Sequence, residues 1–166
     1  MLLIAALMLA TSAAWFESSL AAARGAGNVR DYLQAFHAAD SALTSCARAV
    51  VATAAVEDAD SHDGVIGAGS TPATPATPAE PTQWKLQTAF EAAAITPVSQ
   101  WPGSLRPPQC LIEAWRLATR PDARAYLVTA RGFGRNNDAQ VWLQTELVFD
   151  NQKIERHWRR IVARPF

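Results

Sequence analysis

The chain has 166 residues, of which 49% are hydrophobic and 18% are charged. This length fits a single domain with an appended segment, and the hydrophobic content excludes a wholly disordered polymer. Its 15 basic residues balance its 15 acidic ones. The chain therefore lacks the net positive charge that is typical of a nucleic-acid-binding domain.

The first predicted element is an apolar helix at the start of the chain. Residues 1–16 carry no charged side chain, and the first acid is Glu17. Sixteen helical residues rise about 24 Å, whereas the hydrocarbon core of a bilayer is about 30 Å thick. Three interpretations stay open: a retained membrane anchor, a buried core helix, or a cleaved signal peptide with small residues at 10–14 as its cleavage site.

The helical pattern continues well beyond this apolar segment. No proline interrupts residues 17–56, and alanine is dense throughout. The pattern predicts one helix from Met1 to Val56, about 84 Å long. It is apolar on every side over 1–24 and amphipathic over 25–56. The larger apolar residues that form the predicted stripe are Val29, Leu33, Phe36, Leu43 and Val50.

A change in composition marks the end of this helix. Residues 57–82 begin with acids and glycines and then repeat a Thr-Pro-Ala triplet over 71–79. Such a repeat has no large apolar side chain with which to build a core. The segment is therefore predicted to be an exposed, partly extended loop.

Residues 83–166 are predicted to form a globular head. A short helical or mixed segment at 83–94 precedes a proline-rich stretch, and four strand-like runs follow at 110–117, 125–132, 141–149 and 157–162. The short turns between the later runs predict an antiparallel meander. Alternation in the third run predicts one buried face and one wetter face, which the helical stripe would cover on the buried side. The expected fold class is α+β, with a long helix on a sheet of about four strands.

Two short runs in the helix carry a resemblance to a known family. The sequence reads Gly-Asn-x-Arg-Asp at 27–31 and Ala-Ala-Asp-x-Ala-Leu at 38–43. These runs resemble the helical signature of PilX-type minor pilins of type IV pili, and the strand runs of the head are similar to that family's pattern. The signature residues are Gly27, Asn28, Arg30, Asp31, Ala38, Ala39, Asp40, Ala42 and Leu43.

The resemblance implies a pilin-like fold and a non-catalytic subunit that supports initiation or assembly of a type IV pilus or related fibre. It implies contacts with other minor pilins and the major pilin through the N-terminal helix. It also implies a location in the inner membrane, with a periplasmic head, before incorporation into the fibre. One departure is that no glutamate occurs early in the apolar run, where most pilins carry one. The alternative is a secreted periplasmic binding domain with a cleaved signal peptide.

The side chains that carry chemistry are few. Cys46 lies on the helix and Cys110 at the first strand, so in an exported chain they predict a disulfide, with two separate buried thiols as the alternative. The histidines show no metal-ligand spacing, and no serine lies in a nucleophile motif. We therefore expect no catalytic residue, no metal, no cofactor, no small-molecule substrate and no nucleic-acid partner. The tryptophans of the head are interpreted either as core and edge packing residues or as a carbohydrate or partner surface.

Overall fold

The computed structural model describes residues 2–59, 78–136, 138–151 and 153–166, and the predicted loop at 57–82 lies mostly outside them. Helix α1 spans Leu2–Ala59 without a break, which is about 87 Å of helix. It thus continues past the expected end at Val56. The elements that follow are a 3₁₀ turn (Gln83–Lys85), helix α2 (Gln87–Ala93) and strands β1 (Gln109–Trp115), β2 (Arg124–Phe133), β3 (Gln140–Asp150) and β4 (Lys153–Ile161).

The four strands form one antiparallel sheet in the order β1-β2-β3-β4, which confirms the predicted α+β meander. Strand β4 begins at Lys153, earlier than the expected 157, because the turn before it is only two residues long. Asp150 pairs directly with Lys153. Asn151 has a φ of 48°. A two-residue hairpin of this kind needs positive φ, and asparagine adopts it readily.

Helix α1 packs on one face of the sheet, here called the helix face, through small side chains. Ala35, Ala39, Ala42 and other alanines are buried there, together with Leu43 and Val50. The approach is so close that a Cβ on Gly132 of β2 would collide with the backbone of Ala35 and Ala39. Glycine is required at this position because no side chain fits between helix and sheet. The buried residues of α1 are Ala35, Ala38, Ala39, Ala42, Leu43, Cys46, Ala47, Val50 and Ala54.

The prediction that the whole apolar stripe of α1 is buried against the sheet is wrong in part. Val29 and Leu33 are 59% and 47% exposed rather than buried. The reason is geometric: β2 ends at Phe133, close to where α1 passes at Ala35, so the earlier turns of the helix extend beyond the sheet. One-sided burial therefore begins at Ala35, and not near residue 25.

The expectation of a wetter second face is also wrong. On this outer face of the sheet Leu127 and Trp142 are buried beneath Trp84, Phe90 and the C-terminal Phe166. The central strands thus have both faces covered, with α1 on one side and the 83–94 segment on the other. Polar residues are accommodated there because they pair with each other. Gln144 donates its Nε2 hydrogen to Thr129 Oγ1 at 2.8 Å, and both residues are fully buried.

A disulfide between Cys46 and Cys110 joins α1 to β1, as predicted. The two Cα atoms lie 6.7 Å apart, and the cysteines are 64 residues apart in the chain. In the chain-entropy account, closing a loop of this size stabilises the folded state by about 4 kcal/mol. The bond fixes the rear of the long helix to the edge strand of the sheet.

Candidate assembly surface

The most unusual surface of the molecule is the first part of α1. We call residues 2–34 the front segment and residues 35–59 the rear segment. Trp15 is 81% exposed and Phe16 is 66% exposed. Burying one such side chain stabilises a complex by about 1.5–3 kcal/mol, so a partner that covers these side chains would gain binding free energy from each of them. The large apolar residues exposed on the front segment are Leu3, Ile4, Met8, Leu9, Trp15, Phe16, Leu20, Val29 and Leu33.

These side chains do not form a single stripe. Consecutive helical residues point about 100° apart, so Trp15 and Phe16 face different directions, as do Met8 and Leu9. A helix that is apolar all round suits an environment that surrounds it, such as a bundle of other helices or lipid. Within the described residues, no helix combines the length and the apolar character needed to cross a bilayer.

Two glycines lie in the front segment where the fold of the chain does not require them. A Cβ added to Gly25 or Gly27 would have no atom within 4 Å. Each costs the helix up to about 1 kcal/mol relative to alanine. Small residues on a helix surface allow another helix to approach closely. The two positions thus offer room for a neighbouring helix.

The helix leaves the head through a set of contacts that we call the collar. Tyr32 Oη accepts a hydrogen bond from Arg160 of β4 at 2.8 Å. Gln34 donates through its side-chain amide to the carbonyl of Pro102, in the loop before β1. Side chains from one turn of α1 therefore bind to two separate parts of the head. These contacts hold the helix in one direction where it emerges.

The loop between β2 and β3 supplies the third collar contact. Asn136 donates a hydrogen bond from Nδ2 to Asp31 Oδ2 at 3.2 Å. Its Oδ1 accepts hydrogen bonds from the backbone N–H groups of Asp138 and Ala139, at 3.0 and 2.8 Å. One side chain thus orders its own loop and attaches that loop to α1. A groove of about 310 Å³ lies here, and Asn28, Asp31 and Asn136 are among its lining residues.

The structure separates the predicted signature residues into three groups. Ala38, Ala39, Ala42 and Leu43 are buried against the sheet. Asn28 and Asp31 line the groove beside the β2–β3 loop. The remaining positions, Gly27, Arg30 and Asp40, are exposed. The signature therefore includes packing residues, collar residues and surface residues, and it does not converge on one cleft.

The two buried charged residues of the described chain, Arg131 and Glu113, lie on the outer face, away from α1. The Arg131 guanidinium is surrounded by the rings of Phe90, Phe133, Trp142 and Phe166, with centroids 4.8–5.4 Å away. Burial is the main cause that lowers its pKa, to about 10, so it remains charged at neutral pH. Its Nη2 donates a hydrogen bond to the Gln109 side chain at 2.7 Å.

Glu113 is the second buried ionisable group on this face. Burial raises the pKa of its carboxyl group, while the backbone N–H of Gln83 donates to it at 2.9 Å and opposes the shift. The contact attaches the 3₁₀ turn to β1, which is a structural role. Among residues 2–59, 78–136, 138–151 and 153–166, no three His, Cys, Asp or Glu side chains are grouped to hold a metal ion.

The collar residues were not predicted from the sequence. Tyr32, Gln34, Asn136 and Arg160 join segments that lie far apart in the chain, and periodicity carries no information about such contacts. One local signal was present. The polar and aromatic run at 31–34 falls where α1 changes from exposure on all sides to burial on one side.

Comparison with known proteins gives one match. The profile of the family described as "Type IV pilus assembly protein PilX C-term" matches residues 53–148, more than half of the chain. The matched region runs from the end of α1 through β1 and β2 into β3. No curated protein and no solved structure matches the chain.

Proposed function

The chain belongs to the PilX family of type IV pilus assembly proteins, and on this premise we propose that it is a minor pilin that supports initiation or assembly of a type IV pilus or related fibre. One observation carries the proposal. The front segment exposes large apolar side chains in several directions and is continuous with a rear segment fixed to a folded head. A subunit that inserts into a helical core needs such a division.

In this proposal the front segment packs among the helices of other minor pilins and the major pilin. Trp15, Phe16 and Leu20 supply the apolar contacts. Gly25 and Gly27 allow close approach. The collar keeps the head at a fixed orientation to the helix, so that insertion of one part positions the other.

We further propose that, before assembly, the front segment is held at the inner membrane with the head in the periplasm. The support for this step is the exposed apolar surface together with the family relationship. No helix among the described residues has the length and hydropathy needed to span the bilayer, so a spanning helix is not part of this support. Fractionation of cells after alkaline extraction measures it directly, since an integral protein stays with the membranes.

We also propose that the protein acts without catalysis. The support is that its buried charged groups are occupied in packing. The guanidinium of Arg131 is enclosed by aromatic rings, and the carboxylate of Glu113 anchors the 3₁₀ turn. Arg131 is also ion-paired with Glu91 at 3.7 Å, and none of these contacts sets a nucleophile beside a titratable group, which is the arrangement acid–base chemistry requires.

The alternative function, a secreted periplasmic binding domain, predicts that a signal peptide is cut from an independent mature chain. The observation against it is that α1 passes from Leu2 to Ala59 with no interruption at a cleavage region. N-terminal sequencing of the protein extracted from membranes separates the two. A mature start near Ala13, with solubility in the absence of detergent, contradicts the minor-pilin proposal.

The decisive experiment places a charge on the front segment. Leu9 is 73% exposed, and Leu105, in the head, is 55% exposed, so Leu105→Glu is a matched control for Leu9→Glu. Each variant is expressed in a strain that lacks the wild-type protein. Surface fibres are then counted by electron microscopy and by recovery of sheared pilin.

We expect Leu9→Glu to reduce fibre number at least tenfold, because a carboxylate is costly inside an apolar helical core. We expect Leu105→Glu to assemble as the wild type does. Equal recovery of fibres from both strains, with both proteins present at wild-type levels, contradicts the proposal.

A further inference from the structure

The outer edge of β4 lacks a partner strand within the described residues. It is the last strand of the sheet, whereas β1 at the opposite edge is joined by a bridge between Ile95 and Cys110. A two-residue hairpin closes on a hydrogen-bonded pair, here Asp150 with Lys153. Counting along from that pair, the backbone groups of Ile154, Arg156, Trp158 and Arg160 point away from β3. They form a ready template for another strand.

This edge is strongly basic although the whole chain has no net charge. Strand β4 carries four basic residues and a single acid, Glu155. Several of these charges already have partners. Arg159 pairs with Glu80 at 2.6 Å, and Arg160 donates to Tyr32. Arg156 makes no ion pair or hydrogen bond within the described part of the chain, and it is exposed.

A groove of about 320 Å³ lies on the helix face between α1 and β4. Trp158 lines it and is 55% exposed, an unusual state for the largest apolar side chain. The charged residues around it are Arg48 and Arg156, which are basic, and Asp40, which is acidic. Side chains of an added strand that point to the helix face would enter this groove beside Trp158.

We propose that β4 is a docking edge for an acidic, extended segment of another protein, which adds to the sheet as a fifth strand antiparallel to β4. The occupant places acidic side chains opposite Arg156 and Arg160 and an apolar one opposite Trp158. Charge selects this partner. A second β4 would bring together two strands that each have an excess of three positive charges. The proposal is independent of the proposed assembly function, because it does not require the front segment to insert into a fibre.

Backbone pairing distinguishes this partner from nucleic acid. A polyanion needs only the positive charges, whereas an added strand also needs the outward N–H and C=O groups of β4. The probe is a synthetic peptide of seven residues, threonine throughout except for glutamate at the second and sixth positions and valine at the fourth. Two control peptides carry an N-methyl group, one on the valine and one on the neighbouring third residue.

Binding is measured by fluorescence anisotropy of the labelled peptides with the full chain in mild detergent. In the proposed pairing the valine N–H points to β4 and the N–H of the third residue points away. We expect N-methylation of the valine to weaken binding at least tenfold and N-methylation of the third residue to change it less than twofold. Equal binding of the two methylated peptides, or no binding of the parent peptide, overturns the proposal.

Variants of the protein test the charge requirement. Arg156→Glu is expected to weaken binding about tenfold or more, since it places like charges together. Arg135→Glu makes the same change on the exposed β2–β3 loop and should leave binding unchanged. Thermal unfolding of both variants confirms that the head is folded. If the two variants bind alike, or if a single-stranded oligonucleotide competes fully with the peptide, the docking edge is not a strand-specific site.

Hydrogen exchange provides a readout that does not depend on charge. In the free chain, the amides of Arg156 and Trp158 should exchange rapidly while that of His157, which faces β3, is protected. Addition of the parent peptide should slow exchange of the Arg156 and Trp158 amides and leave exchange of the His157 amide unchanged. Protection of Arg156 and Trp158 in the free chain would mean that a part of the same chain already covers the edge, and the proposal would be wrong.

Discussion

The front and rear segments of α1 are parts of one uninterrupted helix, yet they use apolar residues in opposite ways. The rear segment is buried along one side, where it presents mostly alanines to the sheet. The front segment is exposed and carries Trp15, Phe16 and other large side chains. In an isolated globular protein the bulky residues would be expected inside. Their position outside indicates that the front segment is shaped for contacts with other molecules.

The two segments also differ in how firmly they are attached to the sheet. The rear segment lies so close to β2 that Gly132 has no space for a side chain. The disulfide between Cys46 and Cys110 then fixes the helix to β1. Among the residues that the structure describes, the front segment has no such attachments beyond the collar. We therefore expect substitutions in the rear segment to affect stability, and substitutions in the front segment to affect association.

The largest expected effect comes from removing the disulfide. Cys46→Ser should lower the free energy of unfolding by about 4 kcal/mol, because the unfolded chain regains the entropy of an open loop. Urea unfolding of the full chain in mild detergent, followed by circular dichroism, measures the change. The wild type unfolded under reducing conditions should show a similar loss. A difference below about 1 kcal/mol between oxidised and reduced protein contradicts the assigned role of the bond.

The next effect is smaller and tests the close approach of helix and sheet. Gly132→Ala should lower the free energy of unfolding by about 2 kcal/mol, since the new Cβ forces α1 away from β2. The same urea experiment measures it. Ala130, two residues earlier on the same face, is already buried in this layer and shows that a methyl group alone is tolerated there. An unchanged midpoint for Gly132→Ala would mean that the helix is not seated as closely as described.

The sequence was sufficient to predict the long helix and the four strands, and it favoured the disulfide over two separate buried thiols. Periodicity and turn residues are local, so they identified β1 to β4 and the hairpin at 150–153. The stripe was placed wrongly because the pattern gave weight to Val29 and Leu33, while the residues that pack are alanines. Alanine is too evenly spread through the helix to mark a face.

The burial of the outer face could not be predicted from local pattern. Gln144 looks like a solvent-facing residue until its partner Thr129 and its cover from the 83–94 segment are known. The collar contacts could not be predicted for the same reason, since Asp31 and Asn136 are 105 residues apart in the chain. For the candidate site, the exposed front segment followed from its all-round apolar character. The signature at 27–43 lies outside the matched region and stays a prediction.

The smallest expected effect concerns a glycine of the front segment and gives the sharpest contrast with Gly132. Gly27 has open space around it, so Gly27→Ala should leave the unfolding of the head unchanged within about 0.5 kcal/mol. Helicity of the front segment should rise slightly, because alanine favours helix by up to about 1 kcal/mol. Urea unfolding and hydrogen exchange measure the two quantities separately. A loss of stability comparable to that of Gly132→Ala would show that the front segment packs against its own head, and the division between the two segments would then be wrong.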